Sequence, residues 1–144
     1  MQTVTVYTAG VCVNSYTSTQ RCAYGVYYSS ESIHNIGHLS GGFNGDGVYA
    51  ALDGIRSVLQ SVSMHPNGPN ASSPVVIKTN VALAACYAMD PIQAPLEYRE
   101  LAMLIKRMCA ERLHTPSIVF SVRGVMESGI KEAIDLAVGA ARSI

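Results

Sequence analysis

The chain has 144 residues, of which 49% are hydrophobic and 14% are charged; this suits one domain with one core and differs from the polar, highly charged composition of disordered chains. Ten basic residues balance ten acidic ones, so no overall electrostatic attraction to nucleic acid, membranes or acidic substrates is expected. The length predicts a single domain over residues 1–144. No apolar run reaches the ~18 residues of a membrane helix, and the first residues lack the pattern of a secretory signal. We therefore expect no membrane contact and a location in the cytoplasm or the nucleus.

The N-terminal part of the chain predicts three strands. Residues 3–8 alternate polar and apolar side chains, as a half-buried strand does. Residues 10–21 are rich in Gly, Asn, Ser and Thr and predict a turn, whereas residues 22–28 are rich in aromatic side chains and predict a second strand. Residues 33–39 predict a third. Short polar connections between the three favour an antiparallel meander.

A glycine-rich loop and a helix follow. Residues 40–47 contain most of the glycines of this region, and apolar residues from Val48 to Val62 recur at the three-four spacing of a helix with one buried face. The glycines could cradle a phosphate at the helix N-terminus. The Lys-Ser/Thr pair of a P-loop is missing, however, so we prefer a loop in which Asp46 is the N-cap of the helix.

The second half of the chain alternates strands with helices. Residues 75–79 have the β-branched composition of a buried parallel strand, and residues 81–88 predict a short helix. A strand predicted at residues 117–123 separates two amphipathic helices, marked by apolar positions from Leu101 to Met108 and from Ile130 to Ala141. A meander followed by alternating helices and strands predicts an α/β fold whose mixed sheet is covered on both faces.

Five local patterns, in chain order, resemble those of one known family. Tyr7-Thr8-Ala9-Gly10 resembles a T-D-G-S/C strand end, residues 49–59 an A-E-L-x-A-I-x-x-A-L helix, and residues 77–81 an I-x-T-D-S strand end. Residues 95–101 resemble the start of a late helix, and residues 122–140 resemble a closing V-x-G-H segment with an A-D-x-L-A helix. These patterns cover nearly the whole chain, which therefore resembles the ribonuclease H family.

The resemblance implies a five-stranded mixed sheet, with strands 1–3 antiparallel, strands 4 and 5 parallel to strand 1, and helices on both faces. It also implies a nuclease chemistry in which carboxylates hold two Mg²⁺ or Mn²⁺ ions against the RNA strand of an RNA–DNA hybrid. Here Ala9, Ala51 and Asn80 stand at three of the carboxylate positions, and Val125 stands at the family's histidine. We therefore expect no catalytic residues, no metal and no cofactor.

The fourth carboxylate position falls on Ile134 or Asp135, depending on the register of the last helix. We prefer Ile134, because its spacing from Ile130 and Ala137 puts it on the apolar stripe. Ala for Asp, Ala for Glu and Asn for Asp are also substitutions that an experimenter would choose to inactivate a nuclease. Isoleucine and valine at the other two positions are not typical engineered choices, and they favour a natural loss.

The resemblance also places candidate nucleic-acid contacts at the strand ends, namely Gly10, Cys12, Asn14 and Thr79. The four cysteines (Cys12, Cys22, Cys86 and Cys109) show no C-x-x-C spacing. We interpret them as buried thiols in a reducing compartment, and a disulfide framework or a zinc site is the less favoured alternative.

Two further sets of side chains have a functional and a structural interpretation. His34 and His38 share one face of a predicted strand, but no third ligand is apparent, so a surface pair is preferred to a metal site. Four basic residues lie along the late helix: Arg99, Lys106, Arg107 and Arg112. Interleaved glutamates favour a solvated face with i,i+4 ion pairs over a nucleic-acid-binding stripe.

Three functions remain open from the sequence. The first is a catalytically inactive domain that binds a protein partner or assembles as a homo-oligomer, which neutral charge and tyrosines clustered in the first strands favour. The second is a weak, non-cleaving binder of RNA–DNA hybrid or RNA. The third is a metal-dependent ribonuclease H seen as an active-site mutant.

Overall fold

The computed structural model describes residues 3–14, 20–28, 34–40, 46–64, 74–112, 114–121 and 127–143. Within them the elements follow one another as β1 (Val4–Val13), β2 (Arg21–Tyr27), β3 (Ile36–Leu39), α1 (Gly47–Met64), β4 (Val75–Thr79), α2 (Ala82–Met89), a short 3-10 helix (Pro91–Gln93), α3 (Leu96–Ala110), β5 (Ser117–Phe120) and α4 (Ser128–Arg142).

The strands form one five-stranded mixed sheet in the order β3-β2-β1-β4-β5. β1 and β2 are antiparallel, as are β2 and β3, whereas β4 is parallel to β1 and β5 is parallel to β4. The fold class expected from the sequence is therefore confirmed. No helix in the described part of the chain is both long and apolar enough to cross a bilayer.

One face of the sheet carries the main hydrophobic core under α1, α2 and α3. Its largest fully buried side chains come from both layers: Val6, Leu52, Ile55, Leu59, Ile77 and Ile105. β4 contributes alternate residues, since Val75, Ile77 and Thr79 are buried and the two residues between them are half-buried. The parallel strand predicted at residues 75–79 is confirmed, and its alternate side chains are the ones that reach this core.

The other face is covered by α4, which lies unusually close to the strands. A Cβ at Gly25 would clash with the backbone carbonyl of Ala133, and a Cβ at Gly37 would clash with that of Leu136. Gly25 pairs with Gly37 on β3 and with Ala9 on β1. A row of small residues across three strands therefore allows the helix backbone to rest on the sheet.

β1 is the element that departs most from the prediction. Residues 10–13, expected in a turn, continue the strand and pair with residues 21–24 of β2. The antiparallel ladder thus extends beyond Thr8, where the pairing with β4 ends. Val11, Cys12 and Val13 are apolar residues that suit a strand, and the Asn, Ser and Thr residues of the predicted turn begin only at Asn14.

The start of α1 confirms the expected N-cap. The Asp46 carboxylate accepts a hydrogen bond from the Tyr49 backbone N–H at 2.7 Å and a second from the Tyr98 hydroxyl. Burial and this neighbouring carboxylate raise the pKa of Tyr98 well above its ordinary value, so the phenol stays a donor. The preceding glycines, residues 41–45, lie outside the described residues.

Candidate functional site

Four positions singled out in the sequence meet where β4 ends against β1. The last pair of the parallel ladder joins Thr8 to Thr79, so Ala9 and Gly10 continue β1 as Asn80 leaves β4. α1 packs onto this point, because a Cβ at Gly10 would clash with the backbone nitrogen of Ala51. We refer to Ala9, Gly10, Ala51 and Asn80 as the strand-end site.

Two of these residues offer a cation nothing to bind. Ala9 and Ala51 are both completely buried, and their methyl groups are not metal ligands. The backbone of Gly10 is in contact with α1, and Ala9 lies beside Gly25 under α4. Both alanine side chains are therefore shielded from solvent by the elements packed on either side of β1.

Asn80 forms a two-point clamp on β1. Its Oδ1 accepts a hydrogen bond from the Gly10 backbone N–H at 2.9 Å, and its Nδ2 donates one to the Gly10 carbonyl at 3.1 Å. The carboxamide thereby satisfies the two peptide groups that a further residue of β4 would have paired. We refer to this pair of hydrogen bonds as the Asn80 clamp.

The donor set of the strand-end site does not fit the divalent metals that the ribonuclease H family uses. Such ions need several oxygen ligands, with carboxylates supplying the charge, and the site offers a single amide oxygen that already accepts from Gly10. Across the described residues, no group of three or more His, Cys, Asp or Glu side chains is close enough together to hold a metal ion.

The fourth carboxylate position falls on the last helix, at Ile134 or at Asp135. Val125 lies outside the described residues. Ile134 is half-buried next to Ala133, whose carbonyl covers Gly25, and Asp135 is exposed. The choice between the two registers stays a prediction.

The four candidate nucleic-acid contacts differ in accessibility. Gly10 is buried in the Asn80 clamp, and Thr79 is fully buried with its hydroxyl accepting from the Val81 N–H at 3.3 Å. Cys12 is half-buried, whereas Asn14 is exposed with a positive φ of 55°. The proposed contact with nucleic acid remains a prediction, and Asn14 is its most accessible member.

The interpretation of all four cysteines as buried thiols is wrong. Cys12 and Cys22 form a disulfide across β1 and β2, which we call the cross-strand disulfide. They are direct partners in the antiparallel ladder, with Cα atoms 4.0 Å apart, and the predicted turn at residues 10–21 hid this pairing. Cys86 is an exposed thiol, and Cys109 alone is a buried one, its pKa raised by burial.

A polar cluster that the sequence did not reveal joins β1, β4 and the start of α4. Lys78 Nζ lies 2.9 Å from both carboxylate oxygens of Glu127, and the Tyr7 hydroxyl donates to the same carboxylate at 3.1 Å. The hydrogen bond from Lys78 is the main reason that the pKa of Glu127 is lowered, and burial raises the pKa of Tyr7. The partners are too far apart in sequence for any local pattern to pair them.

The histidines and strand tyrosines pack against one another. His38 stacks on Tyr24 with ring centroids 5.7 Å apart, and His34 meets the edge of Tyr28 at 5.8 Å. Tyr24 is buried and Tyr28 is half-buried, so these two strand tyrosines contribute packing and little exposed surface.

Three of the basic residues on α3, namely Arg99, Lys106 and Arg107, make no ion pair within 4.0 Å among the described residues. The described ion pairs Arg56–Asp53 and Lys78–Glu127 lie on other elements. Arg99 instead donates to the Ala94 carbonyl. An ion pair between residues four apart would stabilise this helix little at exposed positions, because both charged groups are already hydrated.

Solved structures with the ribonuclease H fold are similar to this chain over nearly its whole length. LC11-RNase H1, isolated from compost, in complex with an RNA/DNA hybrid has a TM-score of 0.70 at 16% identity and covers 96% of both chains. RNase H1 from the halophilic archaeon Halobacterium salinarum has a TM-score of 0.66 at 12% identity, covering 96% of this chain and 97% of that one. A foamy viral protease-reverse transcriptase in complex with dsDNA reaches 0.70 at 17% identity, covering 98% and 95%. Neither a protein-family model nor a curated protein matches the sequence. The structural matches show a ribonuclease-H-like fold.

Proposed function

We propose that this chain is a catalytically inactive ribonuclease-H-like domain that acts by binding a protein partner or by assembling with itself. The observation that supports the inactive part is the strand-end site, where Ala9 and Ala51 are buried and Asn80 is clamped to Gly10. The family resemblance places these three residues at carboxylate positions. Without negative oxygen ligands, two divalent ions lose most of their binding energy, and a phosphate would meet no Lewis acid.

The protein-binding part is supported by an uncovered apolar surface around α2. This helix has no charged residue, and a helix that is apolar all round is ordinarily buried. Leu83 and Met89 are nevertheless 51% and 52% exposed, and Ile92 and Leu96 beyond them are 81% and 79% exposed. A concentration of exposed apolar side chains in one stretch of the chain supports a protein contact there.

A hybrid-cleavage assay with Mg²⁺ or Mn²⁺ tests the inactive part. We expect no cleavage by the chain as it stands. We also expect none from a variant combining Ala9→Asp, Ala51→Glu and Asn80→Asp, because Ile134 would still occupy the fourth position. Circular dichroism must show that the variant is folded. Metal-dependent cleavage by the unmodified chain would overturn the proposal, and robust cleavage by the triple variant would favour an engineered active-site mutant.

A second candidate function is non-cleaving binding of nucleic acid. It is favoured by the fold, since LC11-RNase H1 with this fold was solved with an RNA/DNA hybrid and the foamy viral enzyme with dsDNA. The balanced charge of this chain offers little counterion release. A fluorescence binding assay at low salt discriminates: affinity clearly tighter than millimolar, weakened by Asn14→Ala, supports this second candidate.

A further inference from the structure

We propose that α3 is the contact surface of a twofold-symmetric dimer of this chain. The inference rests on the proposed function as a protein-binding domain and names the partner as a second copy. It starts from a row of exposed residues on α3 at alternating spacings of four and three, which we call the α3 stripe: Leu96, Glu100, Met103, Arg107 and Ala110.

The α3 stripe lies on the side of the helix that faces away from the core. At 3.6 residues per turn, its five members fall within about 40° of one line. The buried residues Leu101, Ala102, Ile105 and Cys109 lie on the opposite side. Leu96 and Met103 are 79% and 58% exposed. The four-three spacing is the spacing by which two helices pack along a seam.

The charges on the stripe have no partner of opposite sign within the described chain. The described ion pairs involve neither Glu100 nor Arg107. The two are two turns apart, roughly 10 Å along the axis, which is too far for them to pair with each other. The glutamate sits in the N-terminal half of the helix and the arginine in the C-terminal half.

This arrangement is complementary to itself when one copy is turned around. Met103 lies midway along α3, between Leu96 and Ala110. In an antiparallel pair of α3 helices about a twofold axis at Met103, the Glu100 of each copy faces the Arg107 of the other, twice. Leu96 of each copy then meets the small Ala110 of the other. An isologous contact of this kind buries the same patch on both copies.

A groove between α1 and α3 borders the α3 stripe and has a volume of about 1280 Å³. Four members of the α3 stripe line it, all except Ala110, and Tyr49, Asp53 and Arg56 of α1 form the opposite wall. Since α3 is only roughly 22 Å long, the contact between two α3 helices is small and we expect a weak dimer.

Charge reversal provides the test, using the full chain in sedimentation equilibrium up to about 1 mM. Glu100→Arg and Arg107→Glu each create two like-charge pairs in a homodimer, so each weakens dimerisation at least roughly tenfold. Mixed together, the two variants form a heterodimer with two attractive pairs, and the mixture recovers the affinity of the unmodified chain. Glu132→Arg, which makes the same charge change on the exposed side of α4, leaves dimerisation unchanged.

Three results would overturn the inference. They are a monomeric unmodified chain at the highest concentration, dimers that neither reversal weakens, and a mixture that stays monomeric while circular dichroism shows both variants folded. The second result would move the self-contact to another surface and leave the proposed assembly role intact. Catalytic inactivity is decided separately by the hybrid-cleavage assay, so the two proposals fail independently.

Discussion

Replacing Asn80 by alanine removes the Asn80 clamp and is expected to destabilise the domain. The change leaves the Gly10 N–H and C=O, now bonded at 2.9 and 3.1 Å, without their partners. A buried polar group that loses its partner costs about 1–3 kcal/mol. Since water can enter the space left by the carboxamide, we expect a loss of about 2–4 kcal/mol in the free energy of unfolding. For a domain of this size that lowers Tm by roughly 6–15 °C.

Urea unfolding measured by circular dichroism gives the free energy directly. Gln93→Ala is the matched control, because it removes the same carboxamide from an exposed position and is expected to change stability by less than about 0.5 kcal/mol. Asn80→Asp keeps the acceptor for Gly10 and loses the donor. The loss in unfolding free energy of the Asn80→Asp variant, relative to the unmodified chain, should become smaller near pH 4, because the protonated carboxyl regains a hydrogen-bond donor. If the free energy of unfolding of the Asn80→Ala variant lies within about 0.5 kcal/mol of that of the unmodified chain, the Asn80 clamp does not stabilise the fold and the reasoning is refuted.

The remaining predictions concern the cross-strand disulfide, the close approach of α4 to the sheet, and the Lys78–Glu127 ion pair. Reducing the cross-strand disulfide, which closes a separation of 10 residues, should cost roughly 3 kcal/mol in urea unfolding; identical midpoints with and without reductant would contradict this. Gly25→Ala should cost more than about 3 kcal/mol because its Cβ clashes with the α4 backbone, whereas Gly139→Ala, with nothing within 4 Å, should stabilise α4 by about 0.5–1 kcal/mol; equal effects would refute the close approach. The Glu127 carboxyl has a lowered pKa, so its ion pair stabilises the fold above the ordinary carboxyl pKa of about 4 and is lost as the pH falls through the lowered value. Lys78→Gln should return that pKa toward its ordinary value in an NMR titration, and an unchanged titration would exclude the ion pair as the cause.

The fold was predictable because its signals are local and repeated. Alternation in residues 3–8, the β-branched run at 75–79 and three-four spacing in the helices each reflect which side chains are buried. The strand order followed from the resemblance, because the connections alone allow several arrangements. The full length of β1 was not predicted. Residues 10–13 were assigned to a turn, and they extend the strand by pairing with residues 21–24 of β2.

The candidate site was predictable in position but not in its contacts. The resemblance located Ala9 and Asn80 at neighbouring strand ends; the structure places Asn80 just after β4, whereas Ala9 lies within β1, one residue past the end of its pairing with β4. Asn80 bonds to both the N–H and the C=O of Gly10. These contacts depend on the distance between two strands, and composition does not encode that distance. The cross-strand disulfide and the pairing of Lys78 with Glu127 depend in the same way on register. Sequence reasoning recovered the positions and missed the bonds between them.

The packing around the strand-end site makes carboxylates difficult to accommodate at its buried positions. Ala9 and Ala51 are completely buried, and the backbones of α1 and α4 contact the sheet at Gly10 and Gly25 on either side. A carboxylate introduced there would be desolvated at a cost of several kcal/mol per ion unless metal bound at once. Asn80→Asp would break half of the Asn80 clamp in the same step. Each of these single substitutions is therefore expected to destabilise the domain before any metal could bind, because the same packing holds the strand-end site and the fold.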